Sequence, residues 1–92
     1  MKKTGVIRCE IIFKGRVQGV GFRYTARDFA DEAGIVGWVK NLPDGSVQMV
    51  AEGAEPAIED FLKRLESYFS VSDKTIIYSE ARGDFGGFEI TY

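Results

Sequence analysis

In the first third of the chain, apolar side chains recur first at every second position and then with the period of a helix. Residues Val6–Lys14 alternate apolar and polar side chains, which predicts a half-buried strand. Over Phe22–Ala33 the apolar residues recur every three or four positions, which predicts an amphipathic helix. Gly34 follows at the position where helices often end in a left-handed conformation. This part of the sequence therefore predicts a strand, a glycine-rich connection and a helix.

The middle of the chain carries the pattern of a β-hairpin. Ile35–Leu42 and Ser46–Glu52 are two strand-like runs. Between them lies Pro43-Asp44-Gly45, which favours a tight turn because proline fixes φ and glycine accepts positive φ. We therefore predict two antiparallel strands joined by this turn.

A second helix and further strands complete the pattern. The helix is predicted to start within Gly53–Pro56, and its apolar stripe comprises Ile58, Phe61, Leu62, Leu65 and Phe69. Residues 70–73 are predicted to form a loop, followed by a strand over Lys74–Glu80 and a terminal strand over Phe88–Tyr92. The order is βαββαβ plus a terminal strand, in a single domain of residues 1–92. It predicts an α+β, ferredoxin-like sandwich, with an antiparallel sheet and two helices on one face.

Composition narrows the chemistry that such a domain can perform. The chain of 92 residues has no histidine and one cysteine. This excludes imidazole bases, imidazole metal ligands, internal disulfides and multi-cysteine metal sites, so any metal would need oxygen ligands alone. We find neither a signal peptide nor an apolar run long enough to span a membrane, and a lone cysteine suits a reducing compartment. We therefore expect a cytoplasmic protein without a membrane partner.

Charge is distributed unevenly along the chain. The net charge of −2 disfavours nucleic-acid binding, which needs a basic footprint. Residues 1–45 hold eight Lys/Arg and five Asp/Glu, a net charge of +3, whereas residues 46–92 hold four and nine, a net charge of −5. Between Lys14 and Arg27 there are four basic residues and no acidic one. This local field suits a small anion better than a polyanion.

The segment Gly15–Gly21 (GRVQGVG) is the first candidate site. Its three glycines let main-chain N–H groups turn towards a ligand, and the start of the next helix adds partial positive charge. Arg23 follows in the first helical turn, where its guanidinium can bind phosphate oxygens in bidentate fashion. The spacing matches neither a Walker A motif nor a dinucleotide motif. By itself it fits an anion site and a tight turn with a surface arginine about equally well.

Asn41 is the second candidate. It ends a predicted strand just before the turn, and its amide both donates and accepts hydrogen bonds, so it can hold a water molecule. Asparagine is also common in turns because its side chain bonds to the nearby main chain. Position alone favours the turn interpretation over the catalytic one.

Two segments resemble the signatures of the acylphosphatase family. The first is Gly15–Arg23 in full, and the second is Gly37–Asn41, followed by Gly45, Val47 and Gly53. They occur in the family's order and separation, the βαββαβ order agrees, and the resemblance extends over nearly the whole chain. Many relatives have a Gly-Pro turn after the second helix, where this chain has Ser-Val-Ser-Asp at residues 70–73, so the shape of that loop stays open.

The resemblance implies hydrolysis of the carboxyl–phosphate bond of small acyl phosphates, giving a carboxylate and inorganic phosphate. It implies that Arg23 binds the phosphoryl group and that Asn41 positions the attacking water. The backbone amides that it assigns to phosphate binding are those of Gln18, Gly19, Val20, Gly21 and Phe22. It implies no metal, no cofactor and no phosphoenzyme, with inorganic phosphate as product and competitive ligand. We expect a monomer.

Two non-catalytic alternatives stay open. RNA-recognition motifs share the ferredoxin-like order and bind bases on sheet aromatics, but Phe85-Gly86-Gly87-Phe88 lacks their basic-glycine-aromatic order. An anion- or metabolite-binding module would keep Arg23 but would have no use for the amide of Asn41. The two residues together therefore favour the enzyme, without a nucleic-acid partner.

Overall fold

A computed structural model describes residues 5–92 of the protein. Its elements are β1 (Val6–Arg16), α1 (Phe22–Ala33), β2 (Val36–Asn41), β3 (Val47–Ala54), α2 (Glu55–Tyr68), β4 (Ser70–Glu80) and β5 (Phe88–Ile90). The α+β, ferredoxin-like fold is confirmed, and apart from the start of β4 the element ends agree with prediction to within two residues. In the part of the chain described, neither helix is long and apolar enough to cross a membrane.

The strands form one sheet in the order β4-β1-β3-β2-β5. β1 pairs antiparallel with β3 and β4, and β2 pairs antiparallel with β3. The terminal strand, β5, for which the sequence predicted no partner, pairs parallel with β2 and makes the five-stranded sheet mixed. The chain passes from one edge to the other through residues 81–87. Seven extended residues reach roughly 24 Å, enough for the roughly 19 Å between the edge strands, and β5 then runs in the direction of β2.

Both helices cover one face of this sheet. α1 packs on β2 and β5, whereas α2 packs on β3 and β4. The residues that the helices bury are Phe22, Ala26, Phe29 and Ala30 of α1 and Ile58, Phe61, Leu62 and Leu65 of α2, the predicted stripes. Gly34 ends α1 with a φ of 72°, the left-handed conformation expected there. Between Phe13 of β1 and Phe22 of α1 the ring centroids are 5.0 Å apart, which fixes the distance that the glycine-rich connection must span.

Gly15 marks the main difference between the predicted and the observed elements. It has a φ of +120° and lies in β1, at a shift of register against β4 that follows Lys14. A Cβ at Gly15 would lie 2.4 Å from the carbonyl oxygen of Ser70, so only glycine allows β4 to approach. Residues 70–73 therefore extend β4 and are not a loop, and the glycine-rich loop shortens to Val17–Gly21. The bulge interrupts the period of two, which hid this continuation from the sequence.

A buried ion pair on the opposite face of the sheet was not predicted. The side chains of Glu52 on β3 and Arg8 on β1 are 2% and 9% exposed, and Arg8 Nη1 donates to Glu52 Oε2 at 3.0 Å. The amides of Arg82 and Gly83 donate to the same carboxylate at 3.0 and 3.1 Å. Burial alone would raise the pKa of Glu52, but these two amides and Arg8 together lower the pKa below its ordinary value of 4.5. Glu52 thus holds the segment that crosses from β4 to β5.

Replacing Glu52 by glutamine is expected to lower the free energy of unfolding by about 3–5 kcal/mol, because the buried guanidinium of Arg8 then keeps only the partly exposed carboxylate of Glu10, 3.6 Å from its Nε, as a charged partner. Glu59→Gln, at an exposed position of α2, is the matched control and should change it by less than about 0.5 kcal/mol. Because the pKa of Glu52 is lower in the folded than in the unfolded protein, its carboxylate stabilises the folded state at pH values above the unfolded pKa. That stabilisation is lost as the pH falls through the folded pKa. In urea titrations the wild-type advantage over Glu52→Gln should therefore narrow below about pH 4.5. Equal unfolding free energies at pH 7 would contradict this role.

Candidate functional site

The loop Val17–Gly21 connects the end of β1 to the start of α1. Val17 is buried and anchors the loop in the core. Gly19 and Gly21 have φ values of +74° and +84°, whereas every non-glycine residue described has a negative φ. The sign of φ therefore alternates from Gln18 to Phe22. Such alternation turns successive main-chain N–H groups to one side and forms an anion-binding concavity.

The amides of this loop have no acceptor in the part of the chain that the structure describes. Within residues 5–92, no hydrogen bond starts from the N–H groups of Gln18, Gly19, Val20, Gly21 or Phe22. Gly21 caps α1 without a side-chain hydrogen bond, and the first turn of α1 has no acidic residue. The partial positive charge of the helix start is thus not neutralised by a neighbouring carboxylate. Loop and helix start together present several donors that can bind an anion.

Arg23 brings a full positive charge to the first turn of α1. Its side chain is half-buried, and Cζ lies 5.0 Å from the centroid of the Tyr92 ring. Among the residues that the structure describes, no carboxylate forms a salt bridge with Arg23, whereas Arg27 contacts Asp28. A cation over an aromatic ring is attracted to the ring without using a hydrogen bond, so the N–H groups of Arg23 stay available.

Asn41 ends β2, next to a hairpin turn that is closed by main-chain hydrogen bonds. Leu42 and Ser46 close the turn, the amide of Leu42 donating to the carbonyl of Ser46 at 2.9 Å. Asp44 accepts hydrogen bonds from the hydroxyl and the amide of Ser46, and both lower the pKa of its carboxyl. Asn41 itself is half-buried, and its side chain has no hydrogen bond to any described residue. Its amide is therefore free to bind water.

The side chain of Gln18 joins the loop to this hairpin. Its Nε2 donates to the carbonyl oxygens of Leu42 and Ser46, both at 2.8 Å. These carbonyls flank the turn that follows Asn41, so Gln18 holds the amide-rich loop beside Asn41. The sequence predicted only a backbone role for Gln18, because a contact across 24 and 28 residues leaves no local pattern.

The described residues offer few other groups that could react or bind a metal. Cys9 is buried in the core, and burial raises the pKa of its thiol to about 11, so it is neutral at pH 7. Within residues 5–92, no three carboxylate or thiol groups come together in an arrangement that could hold a metal ion. The loop, Arg23 and Asn41 are thus the candidate groups for a small anion at this end of the sheet, where Lys14 and Arg16 add further positive charge.

Comparisons with known proteins identify the family. The sequence profile of the acylphosphatase family matches residues 9–90. An acylphosphatase from Nostoc sp. is 42% identical over 91 residues, which cover 96% of this chain and 89% of the relative. A crystal structure of acylphosphatase from Bacillus subtilis superposes with a TM-score of 0.88 at 38% identity, covering 94% of this chain and 99% of that one. An acylphosphatase structure from Coxiella burnetii superposes with a TM-score of 0.83 at 30% identity, covering 94% of this chain and 93% of that one. The chain therefore belongs to the acylphosphatase family.

Proposed function

We propose that this enzyme of the acylphosphatase family hydrolyses the carboxyl–phosphate bond of small acyl phosphates, with the Val17–Gly21 loop, Arg23 and Asn41 as its active site. The observation that carries the proposal is the set of amides from Gln18 to Phe22 that have no acceptor within residues 5–92, followed in the chain by the guanidinium of Arg23, which forms no salt bridge there. These groups suit the charge of a phosphoryl group. Asn41, held next to them through Gln18, adds a group that can hold water.

Phosphate binding is the first task of the site. The phosphoryl group carries its charge on three equatorial oxygens, so catalysis consists mainly of positioning and electrostatic stabilisation. The amides of Gln18–Phe22 hold these oxygens, and Arg23 binds two of them with its planar fork of donors. The same donors hold inorganic phosphate, which is therefore a product and a competitive ligand.

Activation of water is the second task, and it needs no strong base. Asn41 is neutral and cannot remove a proton efficiently, but it holds a water molecule in line with the bond that breaks. A substrate oxygen can then take the proton. The leaving group is a carboxylate of low basicity, which departs with little help from a general acid. The absence of histidine from the sequence is consistent with this mechanism.

The finer assignments follow from the same chemistry. We propose that residues 1–92 form one domain, that it acts as a monomer in the cytoplasm, and that it needs neither a metal nor a cofactor. Neither nucleic acid nor a membrane is a partner in this proposal, and the net charge of −2 supports the first of these points. A non-catalytic anion- or RNA-binding module is less consistent with a free amide at Asn41 and with the acylphosphatase relatives.

The direct test of the proposed function is hydrolysis of benzoyl phosphate, followed by ultraviolet absorbance, with EDTA present. We expect enzyme-dependent release of benzoate and phosphate, and competitive inhibition by added inorganic phosphate. The uncatalysed rate in the same buffer is the control. Loss of the activity in EDTA would contradict the metal-free mechanism, and no hydrolysis under any condition would favour a binding module.

Replacing Gln18 by leucine is expected to lower kcat by about ten- to a hundredfold, because small misplacement of reacting groups has effects of this size. The affinity for inorganic phosphate should change little, since the loop amides remain. The carbonyls of Leu42 and Ser46 keep their partners within the turn, so the loss of stability should be small. Gln48→Leu, at a half-buried glutamine of β3, is the matched control. A lower melting temperature with unchanged kcat would show that Gln18 is structural only.

A further inference from the structure

A groove borders the anion-binding loop on the side away from Asn41. It encloses about 420 Å³ and is lined by Arg16, Val20, Tyr68, Phe69 and Ser70. Val20 belongs to the loop itself and lies in the middle of the free amides from Gln18 to Phe22, so the groove borders the anion-binding concavity. The other lining residues come from the ends of β1 and α2 and from the start of β4. An acyl phosphate bound at the loop therefore has a cavity directly beside its phosphoryl group.

The apolar surface of this groove is exposed but held in place. Tyr68 is 66% exposed and Val20 44% exposed. The Tyr68 ring packs edge-on against Phe29, with centroids 5.1 Å apart, and lies 6.1 Å from the ring of Phe69. The ring of Phe69 in turn packs on the ring of Phe22, next to the loop, with centroids 5.0 Å apart. The tyrosine ring thus needs little ordering to receive a second ring.

The sheet order places the groove on the side where the leaving group must go. β1 lies between β4 and β3, so the loop at its end has the start of β4 on one flank and the β2–β3 hairpin on the other. Asn41 and the Gln18 contacts are on the hairpin flank. In phosphoryl transfer the attacking water and the leaving group lie on opposite sides of phosphorus. A water held by Asn41 therefore directs the acyl group towards β4 and α2.

A second cavity at this end of the molecule is less suitable. It encloses about 200 Å³ between Lys14, Gly15 and the hairpin turn of Asp44, Gly45 and Ser46. It lies on the flank of the attacking water, and because its Lys14 and Asp44 carry opposite charges, it offers a departing carboxylate no net attraction. The larger groove has no acidic residue in its lining and one cation, Arg16.

We propose that the groove formed by Arg16, Val20, Tyr68, Phe69 and Ser70 is the subsite for the acyl group, and that its exposed tyrosine ring makes the enzyme prefer aromatic acyl phosphates to small aliphatic ones. This inference rests on the proposed function of the loop and Arg23. The free energy of a contact between two aromatic rings corresponds to about a three- to tenfold preference in kcat/KM.

The test compares kcat/KM for benzoyl phosphate and acetyl phosphate in the wild type, Tyr68→Ala and Tyr68→Phe. In Tyr68→Ala we expect the benzoyl-to-acetyl ratio to fall by about three- to tenfold, with the inhibition constant for inorganic phosphate unchanged. Tyr68→Phe keeps the ring and should keep the ratio. Tyr78→Ala, at an exposed tyrosine of β4 outside the groove, is the matched control and should match the wild type.

An unchanged ratio in Tyr68→Ala, or an equal fall in the control, would overturn the acyl subsite while leaving the acylphosphatase activity in place. A wild-type protein that hydrolyses neither compound would overturn the proposed function, and the subsite with it. The two failures are therefore distinguishable in one set of assays.

Discussion

Arg23→Ala is expected to lower kcat/KM for benzoyl phosphate by about a thousandfold or more, the size of effect seen when an arginine that stabilises a phosphoryl transition state is removed. The inhibition constant for inorganic phosphate should rise as well, because Arg23 binds the group that is transferred and the product alike. Both quantities come from steady-state assays. Arg23→Lys should recover only a small part of the loss, since an ammonium cannot reproduce the planar fork.

Arg27→Ala provides the matched control for Arg23. Arg27 lies one turn further along α1 in the same basic segment, but it contacts Asp28 and stacks on Tyr24. If the segment attracted substrate only through its general field, both variants would lose activity to a similar extent. We expect Arg27→Ala to retain activity within about threefold of the wild type, an effect typical of an exposed charge. Unchanged phosphate affinity in Arg23→Ala would contradict direct binding.

Asn41→Ala is expected to lower kcat by about a hundred- to a thousandfold, the range observed when one aligned donor is removed from an active site. The inhibition constant for inorganic phosphate should stay near the wild-type value, because Asn41 orients water and does not hold the phosphoryl oxygens. Its side chain has no hydrogen bond to the described residues, so truncation leaves the hairpin intact. The split between kcat and phosphate affinity is the measurement that separates Asn41 from Arg23.

Asn41→Asp gives a second view of the same position. Aspartate has nearly the same shape but places a negative charge beside a phosphoryl dianion, so here phosphate affinity should fall together with kcat. A loss of phosphate affinity in Asn41→Ala as large as the loss of kcat would exclude the water-positioning role and would make Asn41 part of the phosphate cradle.

The sequence predicted the helices and most of the sheet because their signals are local. The apolar stripes of α1 and α2 each appear within a single segment, and Gly34 marks the end of α1. The end of β1 after Lys14 and the start of β4 at residues 70–73, which pairs with it, were not predicted. A bulge at Gly15 breaks the alternation of apolar and polar residues there. The parallel pairing of β5 was missed because the partner of an edge strand is decided by the path of the connecting segment.

The candidate site was predictable to a lesser degree. From spacing alone the Gly15–Gly21 segment fitted a simple turn as well as an anion site, and Asn41 fitted a turn better. Resemblance to a known family connected the two. The side-chain contacts of Gln18 and of Glu52 join residues 24 or more positions apart, so no period or motif within a short window could indicate them.

The central claim is that the loop amides and Arg23 together bind the phosphoryl group. The most direct measurement is an NMR titration of the ¹⁵N-labelled protein with inorganic phosphate, following every amide and the Nε of Arg23. We expect the amide signals of Gln18 to Phe22 and the Arg23 signal to shift together with one dissociation constant, and signals on the far face, such as Ile77, to stay in place. Saturable shifts at another site, with the loop and Arg23 unaffected, would contradict it.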